Sequence, residues 1–429
     1  MMFEKIHAIS AFLKTKKLQS SLKSREDVKA WHTKKISAWL KNDLSKVAFY
    51  QNRSFKTLED LPIINKQIMM DAFADFNQGK ITLEDVRSCI DGKMLLANMH
   101  CGMSTGTSGN RTYYIISESE RFIWLGTILG KLLPTYPFEA MRIAVALPMA
   151  APLYQSVNHL WRLDLKFFNL NDGLEEVVKN IAAYQPAGLI APPHLLRYFV
   201  DANIKLPLKR LYSVAEVLDP FDRDLIANHF KIRVDEIYMA SEGLFATPCQ
   251  HGKLHLCEDV MHFSFEKEGE SALVNPIITD FTRTTQIMAR YRMNDLLRLD
   301  DKPCPCGSPY QAIAEIVGRK DDCFYLYNKQ GAIVTLTPDV LRNTILDSSL
   351  GIADFRLVHR VNGTVLLQLP DHYSEDVGKQ AIHHLNLLFS RFEIVCTLSL
   401  DVMEKTIENG KKLRRIKNQY RSGHDGFFQ

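Results

Sequence analysis

The sequence predicts an α/β body followed by a smaller α+β domain, and three patterns predict it. Apolar runs of strand length alternate with helical stretches through the middle of the chain, which argues for a sheet with crossover connections. Beyond about residue 320 the strands are grouped closely, and Asn362-Gly363 is a strong two-residue hairpin turn. The length, 429 residues, suits two or three domains at roughly 150 residues each.

Taken in order, the N-terminal segment reads as a surface helix with Phe3, Ile6, Phe12 and Leu13 turned inward. From Ser20 to Met99 the spacing stays helical, with a break at Leu61-Pro62. Ser117 and Glu120 stand at capping-box spacing before Phe122, Trp124 and Leu125, so a helix starts there. Met141 to Leu147, Leu165 to Leu170, Ala187 to Ile190, Leu211 to Val214 and Val234 to Tyr238 read as buried strands, with helices after Asp172 and Pro220. Cys323–Asn328 with Ala332–Leu336, and Phe355–Val361 with Thr364–Leu369, read as hairpins. Helices are expected after Pro338 and around Ser374, and a last strand over Ile394–Leu400. The expected domains are 1–320 and 321–429.

Composition narrows the class. With 46% hydrophobic residues the chain has the apolar content to offset ordering entropy, so disorder is excluded as the dominant state. Only 21 Gly and 17 Pro exclude collagen-like or linker-like character. A net charge of +4 is too weak to argue for nucleic acid. No run reaches the roughly 18 apolar residues of a membrane span. The basic N-terminus lacks a long apolar region and a small-residue cleavage pattern, which points to a cytoplasmic protein. The eight cysteines are uneven, and Cys249, Cys257, Cys304 and Cys306 gather with His251 and His255. Without a signal peptide such a cluster reads as metal rather than disulfide.

The most informative segment is Met103-Ser104-Thr105-Gly106-Thr107-Ser108-Gly109-Asn110-Arg111-Thr112. Glycines let backbone N–H groups approach an anion, and the hydroxyls add donors, a combination suited to polyphosphate. A polar surface loop has the same composition. The segment is not a Walker A loop, and it does not follow a strand in GxGxxG fashion.

Further motifs stand behind it in order: Val214-Ala215-Glu216, Tyr238-Met239-Ala240-Ser241-Glu242, Tyr291-Arg292-Met293-Asn294-Asp295, Gly318-Arg319-Lys320-Asp321-Asp322 and Asn409-Gly410-Lys411. Together with Ser104–Gly109 they resemble the adenylate-forming superfamily of acyl-CoA ligases and peptide-synthetase adenylation domains. They are most similar to the phenylacetate-CoA ligase branch and its relatives acting on a deazaflavin coenzyme. The resemblance implies that Ser104, Thr105, Gly106, Thr107, Ser108 and Gly109 hold phosphates, that Ala215 and Glu216 border the adenine, and that Tyr238 lies on it beside Ser241. It implies that Glu242 holds magnesium, Asp295 accepts the ribose hydroxyls, Arg319 binds ribose or phosphate oxygens, Asp321 is the hinge and Lys411 reaches the reacting carboxylate. Such roles suit a reaction that brings anions together. Taken alone, Glu242 reads as a strand-end acid, Asp295 as a turn residue, and Lys411-Lys412-Leu413-Arg414-Arg415 as a solvated basic tail or a nucleic-acid patch.

The resemblance has departures. Asn110-Arg111 ends the loop where many relatives have Pro-Lys or Pro-Thr, Asn294 replaces a glycine, and the basic Arg-Gly element of many CoA ligases is missing after the hinge. The nucleotide half of the resemblance is therefore better than the CoA half. The implied function is ATP-dependent adenylation of a carboxylic acid, aryl or hydrophobic, giving acyl-AMP and pyrophosphate, then transfer to a thiol such as CoA or to an amine. The alternatives are AMP transfer to a hydroxyl of a cofactor-like acceptor, or a nucleotide-binding relative without catalysis. Tyr154, His194 and Ser213 are expected near the acid, at the carboxyl ends of the strands. The expected partners are the acid and a thiol, amine or hydroxyl acceptor, with no nucleic acid and no membrane span; a homodimer is left open.

Cys249-x5-His255 and Cys304-Pro305-Cys306-Gly307 together supply three thiolates and an imidazole, a common tetrahedral zinc set. Some members of the resembled branch bind zinc in this region, which implies Cys249, His255, Cys304 and Cys306 as ligands. His251 and Cys257 are spare candidates. Four protein ligands leave no open position, so the site reads as structural.

Overall fold

The computed structural model describes the chain except for residues 1, 52–54, 97–98, 105–111, 148–158, 161, 270, 350–351, 353, 404–413 and 421–429. The chain forms two units, Met1–Leu218 with Arg223–Met293 and Arg298–Glu315, and Asp219–Asp222 with Asn294–Leu297 and Ile316–Gln429. Among the described residues no helix is long and apolar enough to cross a membrane.

Helices α1 (Met2–Ser21), α2 (Arg25–Asn42), α3 (Lys66–Asp71) and α4 (Leu83–Ile90) lead to an antiparallel hairpin, β1 (Met99–Met103) and β2 (Tyr113–Ser117). Next comes α5 (Glu118–Leu132), whose start is fixed by the expected capping box of Ser117 and Glu120. The chain then alternates through β3 (Met141–Leu147), β4 (His159–Leu160), β5 (Leu163–Asn169), α6 (Leu174–Tyr184), β6 (Gly188–Ala191), α7 (Pro193–Asp201), β7 (Arg210–Val214), α8 (Pro220–Phe230) and β8 (Val234–Ala240). Strands β5, β3, β6, β7 and β8 pair in parallel, which requires the crossover helices between them. Further strands extend the sheet: β9 (Gly243–Pro248), β10 (Leu254–Leu256), β11 (Met261–Lys267), β12 (Leu273–Asp280), β13 (Tyr291–Arg292), β14 (Asp295–Leu299) and β15 (Ala312–Arg319), with antiparallel pairing of β8 and β9, β9 and β10, β10 and β15, β11 and β12, and β12 and β13. The order is β11-β12-β14-β15-β10-β9-β8-β7-β6-β3-β5-β4, with β13 on β12.

The first helix corrects the sequence reading in part: Phe12 packs, partly buried, against the core as expected, and the Phe3 side chain lies outside the described residues. Ile6 and Leu13 are exposed, while Ala8, Ala11, Thr15 and Leu18 form the buried face. The cause lies on α5, where a Cβ on Gly126 would stand 2.1 Å from the Ala8 carbonyl oxygen. Two helices this close exclude large side chains between them, so the small residues face inward.

In the second unit β16 (Phe324–Tyr327) and β17 (Ile333–Leu336) form a hairpin, followed by α9 (Pro338–Leu346). A four-stranded sheet follows: β18 (Arg356–His359), β19 (Val365–Pro370), β20 (Leu398–Met403) after α10 (Glu375–Arg391), and β21 (Ile416–Asn418), in the order β20-β19-β18-β21. Leu341, Phe355, Leu357, Val365 and Leu385 form its core. The last expected strand starts later than expected: Ile394 makes an isolated bridge to Asn328, and regular pairing begins at Leu398.

Candidate active site and metal cluster

The hydroxyl-rich segment joins the antiparallel strands β1 and β2, so it follows a strand but leads to another strand, not to the helix of a GxGxxG site. Its neck is closed by Ser104, whose N–H donates to the Thr112 carbonyl at 2.7 Å and whose Oγ accepts from the Thr112 N–H at 2.8 Å. Thr105, Gly106, Thr107, Ser108 and Gly109 lie outside the described residues. Below the neck, Gly102 is paired with Tyr114 across the hairpin, and a Cβ there would stand 2.2 Å from the Tyr114 ring. Glycine therefore lets the ring lie across β1. Burial pushes the Tyr114 phenol above its ordinary range.

Tyr114 leads to the carboxylate. The Arg283 guanidinium lies over its ring at 5.9 Å and donates from Nη2 to the Ser241 carbonyl at 2.6 Å. The Ser241 hydroxyl in turn donates to Glu242 Oε2 at 2.8 Å. Both residues sit in the turn between β8 and β9, beyond a register shift at Tyr238/Met239 of the kind that re-aims side chains. Tyr238 itself is buried with its ring 4.8 Å from Phe245. The segment carrying Arg283 is held by Glu120, whose Oε1 accepts from the Thr284 and Thr285 N–H groups at 2.5 and 2.7 Å. Burial opposes ionisation of Glu120, but these bonds and those from the Thr285 hydroxyl and Ser117 N–H hold its carboxyl below the usual range. The neighbouring Asp280 is raised by burial. Sequence reasoning missed Tyr114, Arg283 and Asp280, and read Glu120 only as a helix cap, not as the acceptor that holds the Thr284–Thr285 backbone. The run Thr282-Arg283-Thr284-Thr285 after an acidic strand end was the available signal.

A second polar group stands at the carboxyl end of β7. Ala215 holds φ +70, a left-handed conformation that a non-glycine residue adopts at some cost and often at functional turns. Beside it, His194 Nδ1 meets Glu216 Oε1 at 2.9 Å, both side chains buried. His194 Nε2, Glu216 Oε2 and Ser213 Oγ are buried without a hydrogen-bond partner among the described residues. An unmade bond at such an atom costs about 1–3 kcal/mol, which marks the cluster as one that suits a polar ligand. Tyr154, expected beside them, lies outside the described residues.

The cysteine cluster is built by the turn after β9, by β10 and by the 304–310 loop. The ligand atoms of Cys249, His255, Cys304 and Cys306 lie within 4.8 Å of one another. Cys249 Sγ and Cys304 Sγ are 3.8 Å apart, and Cys306 Sγ and His255 Nε2 are 3.4 Å apart. A tetrahedral zinc sets sulfur–sulfur spacings of about 3.8 Å and sulfur–nitrogen spacings of about 3.5 Å, so the donor set fits that ion. His255 Nδ1 meets the Tyr310 carbonyl at 3.0 Å, which fixes the ring with Nε2 toward the sulfurs. The N–H groups of His251 and Ser308 donate to Cys249 and Cys306 sulfurs, each at 3.4 Å. The spare candidates stand apart: the His251 ring contacts Gln250, and Cys257 lies in the apolar core, where burial pushes its thiol to about 12.

In the second unit, Asn294 Nδ2 donates to Asp321 Oδ1, and the Lys320 N–H donates to the Asn294 carbonyl at 2.8 Å. Asp295 begins β14 and Arg319 ends β15. Lys411 lies outside the described residues.

No protein-family profile and no curated protein matches the chain. Solved structures do. A 2-hydroxyisobutyryl-CoA ligase in its postadenylation state matches with TM-score 0.70 and 16% identity, over 93% of this chain and 91% of that one. The fold is that of the adenylate-forming ligases. An open conformation of the same ligase with CoA matches at TM-score 0.57 and 16% identity, over 91% of this chain and 90% of that one. The fatty acyl-adenylate ligases from E. coli and L. pneumophila match at 0.50 and 14% identity, over 73% of this chain and 67% of that one.

This ligase fold also bears on the basic C-terminal run. Arg414 pairs with Asp322, and Arg415 is buried against Asp219 and, at 2.9 Å, Asp222. Two cations of the run are thus engaged inside the second unit and are not a free patch for nucleic acid.

Proposed function

We propose that the chain is an ATP-dependent ligase that adenylates a carboxylic acid and then passes the acyl group to a thiol, in the phenylacetate-CoA ligase-like branch. The observation that supports this reading is the chain of contacts from the β1–β2 hairpin, which ends at Ser104 where the hydroxyl-rich segment begins, through Tyr114 and Arg283 to Ser241 and the Glu242 carboxylate. In this reading Ser104 and the loop beyond it hold the phosphates. Glu216 and Tyr238 flank the base, Asp295 and Arg319 take the ribose, and Asp321 is the hinge. Glu242, an oxygen donor beside a hydroxyl, has the chemistry for magnesium, which would neutralise phosphate charge. Arg283 fixes the turn that carries Glu242. Lys411 brings a cation to the acid as its oxygen attacks the α-phosphorus and pyrophosphate leaves. Cys249, His255, Cys304 and Cys306 hold a structural zinc away from this chemistry.

The test is ATP–pyrophosphate exchange with a panel of aryl, acyl and amino acids. One or more acids should support exchange, and Lys411→Ala should lower it about 100-fold or more. No exchange with any acid, or exchange untouched by Lys411→Ala, would refute the reading.

A further inference from the structure

One face of the parallel sheet, under α5, is not filled. A cavity of about 50 Å³ lies between the helix and strands β3, β6, β7 and β8. From the helix it is lined by residues including Trp124 and Ile128, one turn apart on the same face. From the sheet come alternate residues of each strand, such as Leu147, Ile190, Ile237 and Met239, because side chains on one face recur with period two. Leu147, Ile190 and Met239 are only half-buried, although they stand in or at the ends of central strands. Of the polar lining residues, Tyr212 is satisfied, its hydroxyl donating to the Leu132 carbonyl at 2.9 Å. Arg210 lies at the amino end of β7, away from the carboxyl edge. Such a space holds water poorly and takes apolar atoms well.

Its position says what those atoms belong to. Leu147 ends β3, and Met239 stands three residues before Glu242, so the cavity reaches the carboxyl edge of the sheet, where ligands of open α/β sheets bind. Ser213, expected near the acid, projects to the opposite face from Tyr212 and does not line the cavity. We infer that the cavity receives the tail of the carboxylic acid substrate, and that this tail is short and aliphatic. An apolar cavity of roughly 150 Å³ accommodates a benzene ring, so one a third as large suits about two to four carbons and disfavours an aryl group. This assignment rests on the ligase reading above and decides between the aryl and hydrophobic acids that reading leaves open.

The experiment is ATP–pyrophosphate exchange with straight-chain acids from acetate to octanoate, isovalerate, benzoate and phenylacetate. Propanoate to pentanoate, or isovalerate, should give the highest kcat/KM, with aryl acids lower by about tenfold or more, the scale of a misfit in an apolar pocket. Ile190→Phe should shift the optimum to shorter acids, and Ile190→Ala to longer ones, while the KM for ATP stays within about twofold. Ile190→Val, too small a change to unfold the sheet, should move the profile in the direction of Ile190→Ala. An optimum with an aryl acid, or a chain-length profile unmoved by all three variants, overturns the tail assignment and leaves adenylation standing. Absence of exchange with every acid overturns both.

Discussion

Replacing Cys304 by serine tests the metal assignment most directly. The four ligand atoms join the turn at Cys249 to the loop at Cys304, so an ion there closes a loop of about 55 residues. On the chain-entropy estimate used for a covalent cross-link, such a closure stabilises by about 4 kcal/mol. At about 1.5–2 °C per kcal/mol for a unit of roughly 300 residues, Cys304→Ser should lower the melting temperature by roughly 6–8 °C. Three ligands would remain, and a Cys-to-Ser change loses a thiolate that soft metals favour. The assay pairs elemental analysis with a thermal melt, on protein purified without chelator. The wild type should carry about one zinc per chain and Cys304→Ser a small fraction of that. Cys257→Ser, which changes a thiol of the apolar core outside the four-ligand cluster, should keep its zinc even if it melts earlier. Zinc-free wild type would refute the reasoning, and so would a Cys304→Ser protein that keeps full zinc.

Two further outcomes follow from buried groups. His359 is buried, and burial holds its imidazole down to about 4, so it contributes stability above the unfolded value of 6.5 that is lost as pH falls toward 4. The loss is about 2 kcal/mol at pH 5, and His359→Phe should reduce the pH 7 to pH 5 drop in denaturant stability by about that amount; an unchanged drop would count against it. Gly126→Ala should destabilise despite a helix-propensity gain of about 1 kcal/mol, because its Cβ meets backbone, the Ala8 carbonyl, at 2.1 Å, an overpacking cost of about 1–3 kcal/mol. Gly130→Ala meets the Thr15 side chain at 3.0 Å and backbone, the Phe12 carbonyl oxygen, only at 3.4 Å, and should be milder; equal denaturation midpoints for the two variants would contradict the close helix contact.

Legibility in the sequence followed burial. The parallel strands were readable within a few residues, because strands covered on both faces are near-continuous apolar runs. Capping residues located α5 for the same local reason, since Ser117 and Glu120 bond within one turn. The β1–β2 hairpin was not readable. Met99-His100-Cys101-Gly102-Met103 is half-buried, without alternation, and its glycine answers a ring on the opposite strand. The buried face of α1 was misread because its partner is a glycine on another helix. Tyr114 and Arg283 meet from distant parts of the chain, and no local pattern encodes that contact.

The C-terminal run shows how structure can weigh two readings of one charge pattern. A solvated tail would leave its cations free, yet Arg415 is buried with three carboxylates, Asp219, Asp222 and Asp354, and Arg414 is paired with Asp322, next to the expected hinge at Asp321. Taking a guanidinium out of water is costly unless its partners are fixed, so these pairs anchor the chain at 414–415. Lys411 stands three residues earlier, and three residues span at most about 10 Å of backbone. On the ligase reading proposed above, so short a tether assigns Lys411 to the second unit, together with the buried Arg415 that anchors it.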